Sequence, residues 1–266
     1  IVLHHSGDNW SYPFDYDYFY AEGQRFPLGS WREKDRPLPV ELKDQEVYNR
    51  KGQIRNFDAY PETQEGDFCT LKTFRNDGSP ASEDLQAILA KIHCYWIRET
   101  DVDGFRLDAV KHMKGGDISR FCSNIREYAY SLGKRNFFLF GEIIGNDEMG
   151  NPYIGPKMLP EDRNVYYGLD SILDHPLHSV LAEVIKGNSS PNKLIQRYSD
   201  LQRNALSRGE YGDFLVTYID DHDQVGMDFK HRFGHNATPE QIVAGMGFLI
   251  CALGAPCIYY GTEQGF

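Results

Sequence analysis

Apolar positions in this chain follow two alternating periods. Continuous apolar runs read as buried strands at Ile1–Leu3, Phe137–Phe140, Phe214–Ile219 and Cys257–Tyr260. A further strand is expected through Phe105 and Leu107, and a short one between about Val165 and Leu173. Between these runs, apolar residues recur at helical spacing. Leu85, Ile88, Leu89, Ile92 and Trp96 share one face of a helix reaching about Arg98, with Ser82 as its expected cap and Glu83 and Asp84 in its first turn. Ile118, Phe121, Cys122, Ile125 and Leu132 mark a second helix, closed by Gly133. More helices are predicted at about 177–186, 192–206 and 239–253, the last opening on Pro239 and ending at Gly254. The stretch from Gly145 to about Asp162 reads as a loop.

Apolar strands alternating with helices predict an α/β fold with a parallel sheet covered on both faces. No glycine-rich phosphate loop follows a strand, which argues against nucleotide binding. From about residue 9 to residue 77 the periodicity fades, and the segment is rich in Tyr, Asp, Pro and Gly. It is too long and too aromatic for a plain loop, so it reads as an irregular subdomain inserted between a strand and the next helix. The organisation expected is therefore residues 1–8 as a strand end, 9–77 as the inserted subdomain, and 78–266 as the remaining strands and helices. The chain opens in mid-strand and stops abruptly, so a piece of a longer protein is expected.

Three of the strands stop at acids: Asp108 after Gly104-Phe105-Arg106-Leu107, Glu142 after Phe140-Gly141, and the run Asp220-Asp221-His222-Asp223 after Ile219. Acids at the C-terminal ends of separate strands predict one site at the mouth of a barrel. Several carboxylates at once suit glycoside cleavage. In a strand, Arg106 and Asp108 point the same way, and a guanidinium keeps a neighbouring carboxylate ionised, as a nucleophile requires. Glu142 beside an apolar strand suits a general acid whose proton is held by desolvation. Each segment alone also has a bland reading: a structural ion pair, a helix cap or a solvated loop.

With 266 residues, 41% of them hydrophobic, the chain has ample material for a core. A formal net charge of -11 disfavours nucleic acid as a partner. No stretch of the sequence is apolar over the length needed to span a membrane. The five cysteines form no CxxC pair, so neither zinc ligation nor a redox motif is indicated. Reduced, buried thiols are expected, with one disulfide as the alternative. Trp10, Tyr12 and Trp31 fit a sugar groove or packing within the subdomain equally well.

Taken together, Asp103-Gly-Phe-Arg-Leu-Asp-Ala-Val-Lys-His112, Phe140-Gly-Glu142 and Ile219-Asp-Asp-His-Asp223 resemble the signature blocks of the α-amylase family of glycoside hydrolases, in that family's order. His4-His5 fits an earlier block, and Pro256 to Gly261 resembles the family's last strand. The resemblance implies an incomplete (β/α)8 TIM-type barrel with a small subdomain inserted after its third strand. The earliest strands would precede Ile1 and a final helix would follow Phe266. It implies that Asp108 is the nucleophile, Glu142 the acid and base, and Asp223 the transition-state stabiliser. Arg106 would orient Asp108, His5 and His222 would bind sugar at the cleavage point, and Lys111 and His112 would face the acceptor side. In a retaining pair the two carboxyls lie roughly 5–5.5 Å apart, the spacing expected for Asp108 and Glu142.

The activity implied is retaining hydrolysis of α-glucosidic bonds in starch, maltooligosaccharide or a related α-glucan. A transglycosylase or an isomerase of α-linked disaccharides uses the same three acids. No cofactor is required. The family's structural calcium is disfavoured because His4 stands where an Asn is usual, and an imidazole suits a hard cation poorly. Two other classes compete: a non-catalytic sugar-binding homologue, and a metal-dependent hydrolase built on His4, His5, His222 and Asp223.

Overall fold

The computed structural model describes residues 1–12, 17–21, 23–27, 29–32, 37–155, 166–203, 205–206, 208–223 and 231–266. The chain divides into two compact units, Ile1–Glu142 and Ile143–Phe266.

In the first unit, strands β1 (Gly104–Leu107) and β2 (Phe138–Gly141) pair in parallel, with Leu107 opposite Gly141. The register brings the two chains so close that a Cβ on Gly104 would lie 2.3 Å from the Phe138 carbonyl oxygen, so glycine is needed there. Val2 bridges Asp108 in parallel, and the Asp108 N–H donates to the Ile1 carbonyl at 2.8 Å. The first residues thus run beside the end of β1.

Residues 9–77 hold little regular structure in their described parts: isolated bridges, short 3-10 turns and the one-turn helix α1 (Glu62–Glu65). Aromatic packing holds the segment together. Trp10 is fully buried and meets Tyr48 edge-on at 4.4 Å and Trp31 at 5.1 Å. Of the two readings open for Trp10, packing is the one realised. Tyr12 donates to Asp67 at 2.9 Å, and burial pushes that carboxyl up to about 6. The ammonium of Lys72 lies 3.7 Å from Asp67, which offsets part of the cost of burying either charge.

Helix α2 (Pro80–Thr100) starts earlier than the sequence pattern indicates. Ser79, rather than Ser82, is the cap: its hydroxyl accepts from the Ser82 N–H, and Pro80 takes the first helical position, where no N–H is missed. Its buried face runs through Leu85, Leu89, His93 and Ile97, while Trp96 is half exposed. His93 meets Phe105 of β1 and Phe121 of α3 (Gly115–Ser131), tying both helices to the strand. Leu132 lies past the end of α3 and is exposed; Ala129 completes the buried stripe.

The second unit contains three parallel strands, β3 (Ser171–Leu173), β6 (Leu215–Tyr218) and β7 (Ala255–Cys257), with β6 in the middle. Between Gly145 and residue 155 the expected loop is instead the helix α4 (Asp147–Ile154). Asn146 caps it through the Met149 N–H, and Asp147 and Glu148 face its positive end; these local effects outweigh the proline inside. Val165, the expected start of the next strand, lies outside the described residues. Helix α5 (His175–Ile185) is capped by Asp174. The pattern at 192–206 divides into α6 (Asn192–Arg203) and a two-strand hairpin of β4 (Ala205–Leu206) and β5 (Gly209–Glu210). Helix α7 (Pro239–Cys251) opens on a capping box between Thr238 and Gln241. The last strand lies at β7, earlier than Cys257–Tyr260, because Gly254 at φ +93° turns the chain straight from helix to strand. Leu177, Leu181, Ile219, Phe233 and Leu249 form one apolar cluster in this unit.

The order of strands and helices is that of an incomplete (β/α)8 barrel. No disulfide joins the cysteines, and Cys69, Cys251 and Cys257 are exposed, against the expectation of buried thiols. Cys69 sits in a tight left-handed turn and Cys251 closes a helix on its outer side, neither of which apolar neighbours in sequence reveal. Among the described residues no helix is long and apolar enough to cross a membrane.

Candidate active site

Asp108 and Glu142 follow directly on the paired strands β1 and β2, so the ladder fixes both backbones. The Glu142 N–H donates to the Leu107 carbonyl at 2.9 Å, extending the strand pairing by one step. Arg106 projects to the same side as Asp108 and pairs with it. The same guanidinium reaches Glu142, with Nη2 2.8 Å from Oε1. One rigid, always-charged fork therefore spans both carboxylates. The sequence pattern gives the pairing with Asp108; the second contact depends on the register of the strands.

Ala109 follows Asp108 with φ 51°, a left-handed conformation costly for a residue with a Cβ. The turn aims the Ala109 N–H at Glu142 Oε2, 3.1 Å away. Glu142 thus accepts from a guanidinium and a backbone amide. No sequence signal marks Ala109, because strain at one residue leaves no periodic trace.

His5 lies on the antiparallel bridge to Thr73 and stacks on Phe68 at 5.5 Å. Burial lowers its pKa, and the negative charge of Asp108 opposes that shift. His4 is buried, with Nδ1 3.2 Å from Nδ1 of His5, and its pKa lies well below normal because of burial.

The chain then forms a 3-10 turn, Val110–His112. Lys111 extends its ammonium to Asp58 Oδ1 at 2.6 Å, and the hydrogen bond holds the Asp58 carboxyl below its usual range. His112 is 6% exposed, and its Nδ1 lies 2.8 Å from the Thr63 carbonyl. That bond puts the proton on Nδ1, and burial pushes the imidazole down to about 4. His112, expected to face the acceptor side, meets the rings of Phe57 and Phe68 edge-on at 5.8 and 5.3 Å. Asp58 and Thr63 escaped the sequence reading because they sit in the segment without periodicity.

In the second unit, the strand β6 leads into Ile219 to Asp223. His222 and Asp223 are both exposed, with Nε2 3.2 Å from Oδ2. Asp220 is buried, takes a hydrogen bond from Thr262 at 3.1 Å and pairs with Arg232 at the same distance. These contacts anchor the base of the segment, while Asp221 turns it by accepting from the Asp223 N–H at 2.9 Å. Among the described residues no three or more His, Cys, Asp or Glu side chains gather as ligands for a metal ion.

A model of the alpha amylase catalytic domain matches residues 75–266. The chain belongs to the alpha-amylase family. Across 96% of its length it is 26% identical to an alpha-amylase of Streptomyces lividans, of which it spans 28%. It is 26% identical over 234 residues to a cyclomaltodextrin glucanotransferase of Klebsiella oxytoca, spanning 34% of that protein. An Anoxybacillus alpha-amylase structure shares its fold, with a TM-score of 0.65 over 84% of this chain and 44% of the other, at 24% identity. The chain thus corresponds to about a third or less of these two sequence relatives. Its alpha-amylase family segment includes all three acid-terminated strand ends.

Proposed function

We propose that this chain carries the reacting groups of a retaining glycoside hydrolase for α-glucosidic bonds, acting on starch, maltooligosaccharide or a related α-glucan. The observation that carries the reading is the single Arg106 guanidinium shared by Asp108 and Glu142. It pairs with the Asp108 carboxylate and holds the second carboxyl beside it.

In the first step an Asp108 oxygen attacks the anomeric carbon. The bond from that carbon to the leaving oxygen breaks, and Glu142 gives its proton to that oxygen. Asp108 is then a neutral ester, so Arg106 retains Glu142 as its anionic partner and favours the ionised form of Glu142. In the second step water or a sugar hydroxyl gives its proton to Glu142, and its oxygen displaces Asp108. Two displacements return the α configuration. Asp223 stabilises the oxocarbenium-like transition state, with His222 and His5 hydrogen-bonding the sugar. Lys111 lies on the acceptor side, and His112 supports the turn that carries it.

The reading requires no cofactor. His4 offers an imidazole nitrogen already 3.2 Å from that of His5, which supports a chain without the family's calcium at this position.

Glu142→Gln should lower turnover about 10³-fold while maltooligosaccharide binding persists. Unchanged hydrolysis overturns the assignment, and so does a β-anomer as the first product seen by NMR. Similarity to both an alpha-amylase and a glucanotransferase supports transfer as a second reading. Product analysis with starch, maltooligosaccharide, sucrose and trehalose separates hydrolysis, transfer and isomerisation.

A further inference from the structure

Arg232 has a set of partners that the reaction above does not use. Its Nε lies 3.1 Å from Asp220 Oδ2. Its Nη2 donates to the Tyr260 carbonyl at 2.6 Å and to the Thr262 hydroxyl oxygen at 3.1 Å. The Thr262 hydroxyl in turn donates to the same Asp220 oxygen at 3.1 Å. Arg232, Thr262 and Asp220 therefore close a ring of three hydrogen bonds. The guanidinium also lies over the rings of Tyr259 and Tyr260, 4.6 and 5.3 Å from their centroids.

This ring of contacts is set below the surface: Asp220 and Thr262 are buried. Burial raises the pKa of Asp220, and the hydrogen bonds from Arg232 and Thr262 oppose that shift. The two donors thus offset part of the cost of burying a carboxylate. A guanidinium offers its donors in one rigid plane, which suits three acceptors fixed around it.

Asp220 is the point at which the segment carrying Asp223 is tied down. Before it, β6 ends at Tyr218 and Ile219 enters the apolar cluster. After it, Asp221 accepts from the Asp223 N–H, while the Asp223 side chain itself is exposed. The position of that exposed carboxylate follows from its backbone. The groups that hold the backbone at Asp220 come from 12 and 42 positions further along the chain.

We propose that Arg232 is a positioning residue for Asp223: together with Thr262 it holds Asp220, and through Asp220 the strand end that presents Asp223 to the reacting sugar. The proposal rests on Asp223 as the acid that stabilises the transition state. Charge that develops only in the transition state is stabilised by groups already in place. A displacement of about 1 Å in such a group costs about 10²-fold in rate. Binding of the uncharged ground state depends less on it, so loss of Arg232 is read in kcat rather than in KM.

The test uses the full-length protein with 4-nitrophenyl α-maltoside, with turnover counted per folded molecule by circular dichroism. Arg232→Gln should lower kcat about 10²-fold and leave KM within about twofold. Thr262→Val, which removes the hydroxyl at similar volume, should lower kcat about tenfold, the effect of one hydrogen bond. Against a background of Asp223→Asn, neither substitution should lower kcat further, because both act through Asp223. If Arg232→Gln does not fold, Thr262→Val alone and combined with Asp223→Asn decides the matter. Unchanged kcat in the folded variants overturns the proposal, as does a rise in KM alone. Losses of equal size with and without Asp223 overturn it too, since they mark a purely structural role. Failure of the underlying reading looks different: Asp223→Asn then turns over as fast as the parent.

Discussion

Arg106 Nη2 lies 2.8 Å from Oε1 of Glu142, a residue on the neighbouring strand. The same side chain pairs with Asp108 two positions along its own strand. Only a planar fork reaches both. Arg106→Lys keeps the charge but loses one of the two contacts. Turnover should fall about 10²-fold with the fold intact by circular dichroism. Equal turnover in Arg106→Lys would mean that sharing the guanidinium is irrelevant to the reaction.

Buried histidines give the fold a dependence on acid. Burial pushes His112 and His178 down to about 4 from an ordinary 6.5. Between these values the unfolded chain binds more protons than the folded one, so stability rises with pH through the window. The contribution is complete above pH 6.5 and disappears as pH falls towards about 4. His178 stacks on Tyr218 at 4.3 Å, so Phe should fit in its place. Urea midpoints measured from pH 4 to 7 should vary less in His178→Phe than in the parent.

Arg197 bonds Asp174 at 2.7 Å and Asp147 at 2.6 Å, and it is 6% exposed beside a nearly inaccessible Asp174. Removing the cation strands a buried carboxylate. Arg197→Met should cost about 3–5 kcal/mol by denaturant titration. The double variant Arg197→Met with Asp174→Asn should recover part of that loss. A single variant as stable as the parent would show that Asp174 finds another partner.

Two helices depend on their first residues. Ser79→Ala removes the cap of α2, and Thr238→Ala opens the capping box of α7. Each should cost about 1 kcal/mol of stability. Ser82→Ala tests the position: it leaves the Ser79 cap in place and removes one bond to the Arg75 carbonyl, of 3.0 Å.

Strong chelation should leave both the unfolding midpoint and the turnover of the purified protein unchanged. This follows from the proposed reading without calcium, since an imidazole such as that of His4 suits a hard cation poorly. A midpoint lowered by chelator and restored by calcium would contradict this.

The sequence by itself determined which acids follow the strands and the alternation that delivers them. Asp108 and Glu142 follow strand-like runs, Asp220 to Asp223 follow Ile219, and period-two spacing places Arg106 on the side of Asp108. These are local facts, because a strand's faces follow from its own backbone. Helix α4 shows the limit of the same approach: capping by Asn146 outweighed a composition that reads as loop. Trp96 and Ile97 show another, since neighbouring apolar positions differ by 100° around a helix and only packing picks the buried one.

What the tertiary structure decided depends on residues far apart in the chain. Arg106 meets Glu142 because β1 and β2 pair in one register. Lys111 meets Asp58 across 53 positions, and His112 turns to Thr63 across 49. The segment 9–77 carries no period, so its contacts follow from how aromatic side chains such as Trp10 and Tyr48 pack. Periodicity records which face of an element is buried; it holds no information on which distant side chain arrives there.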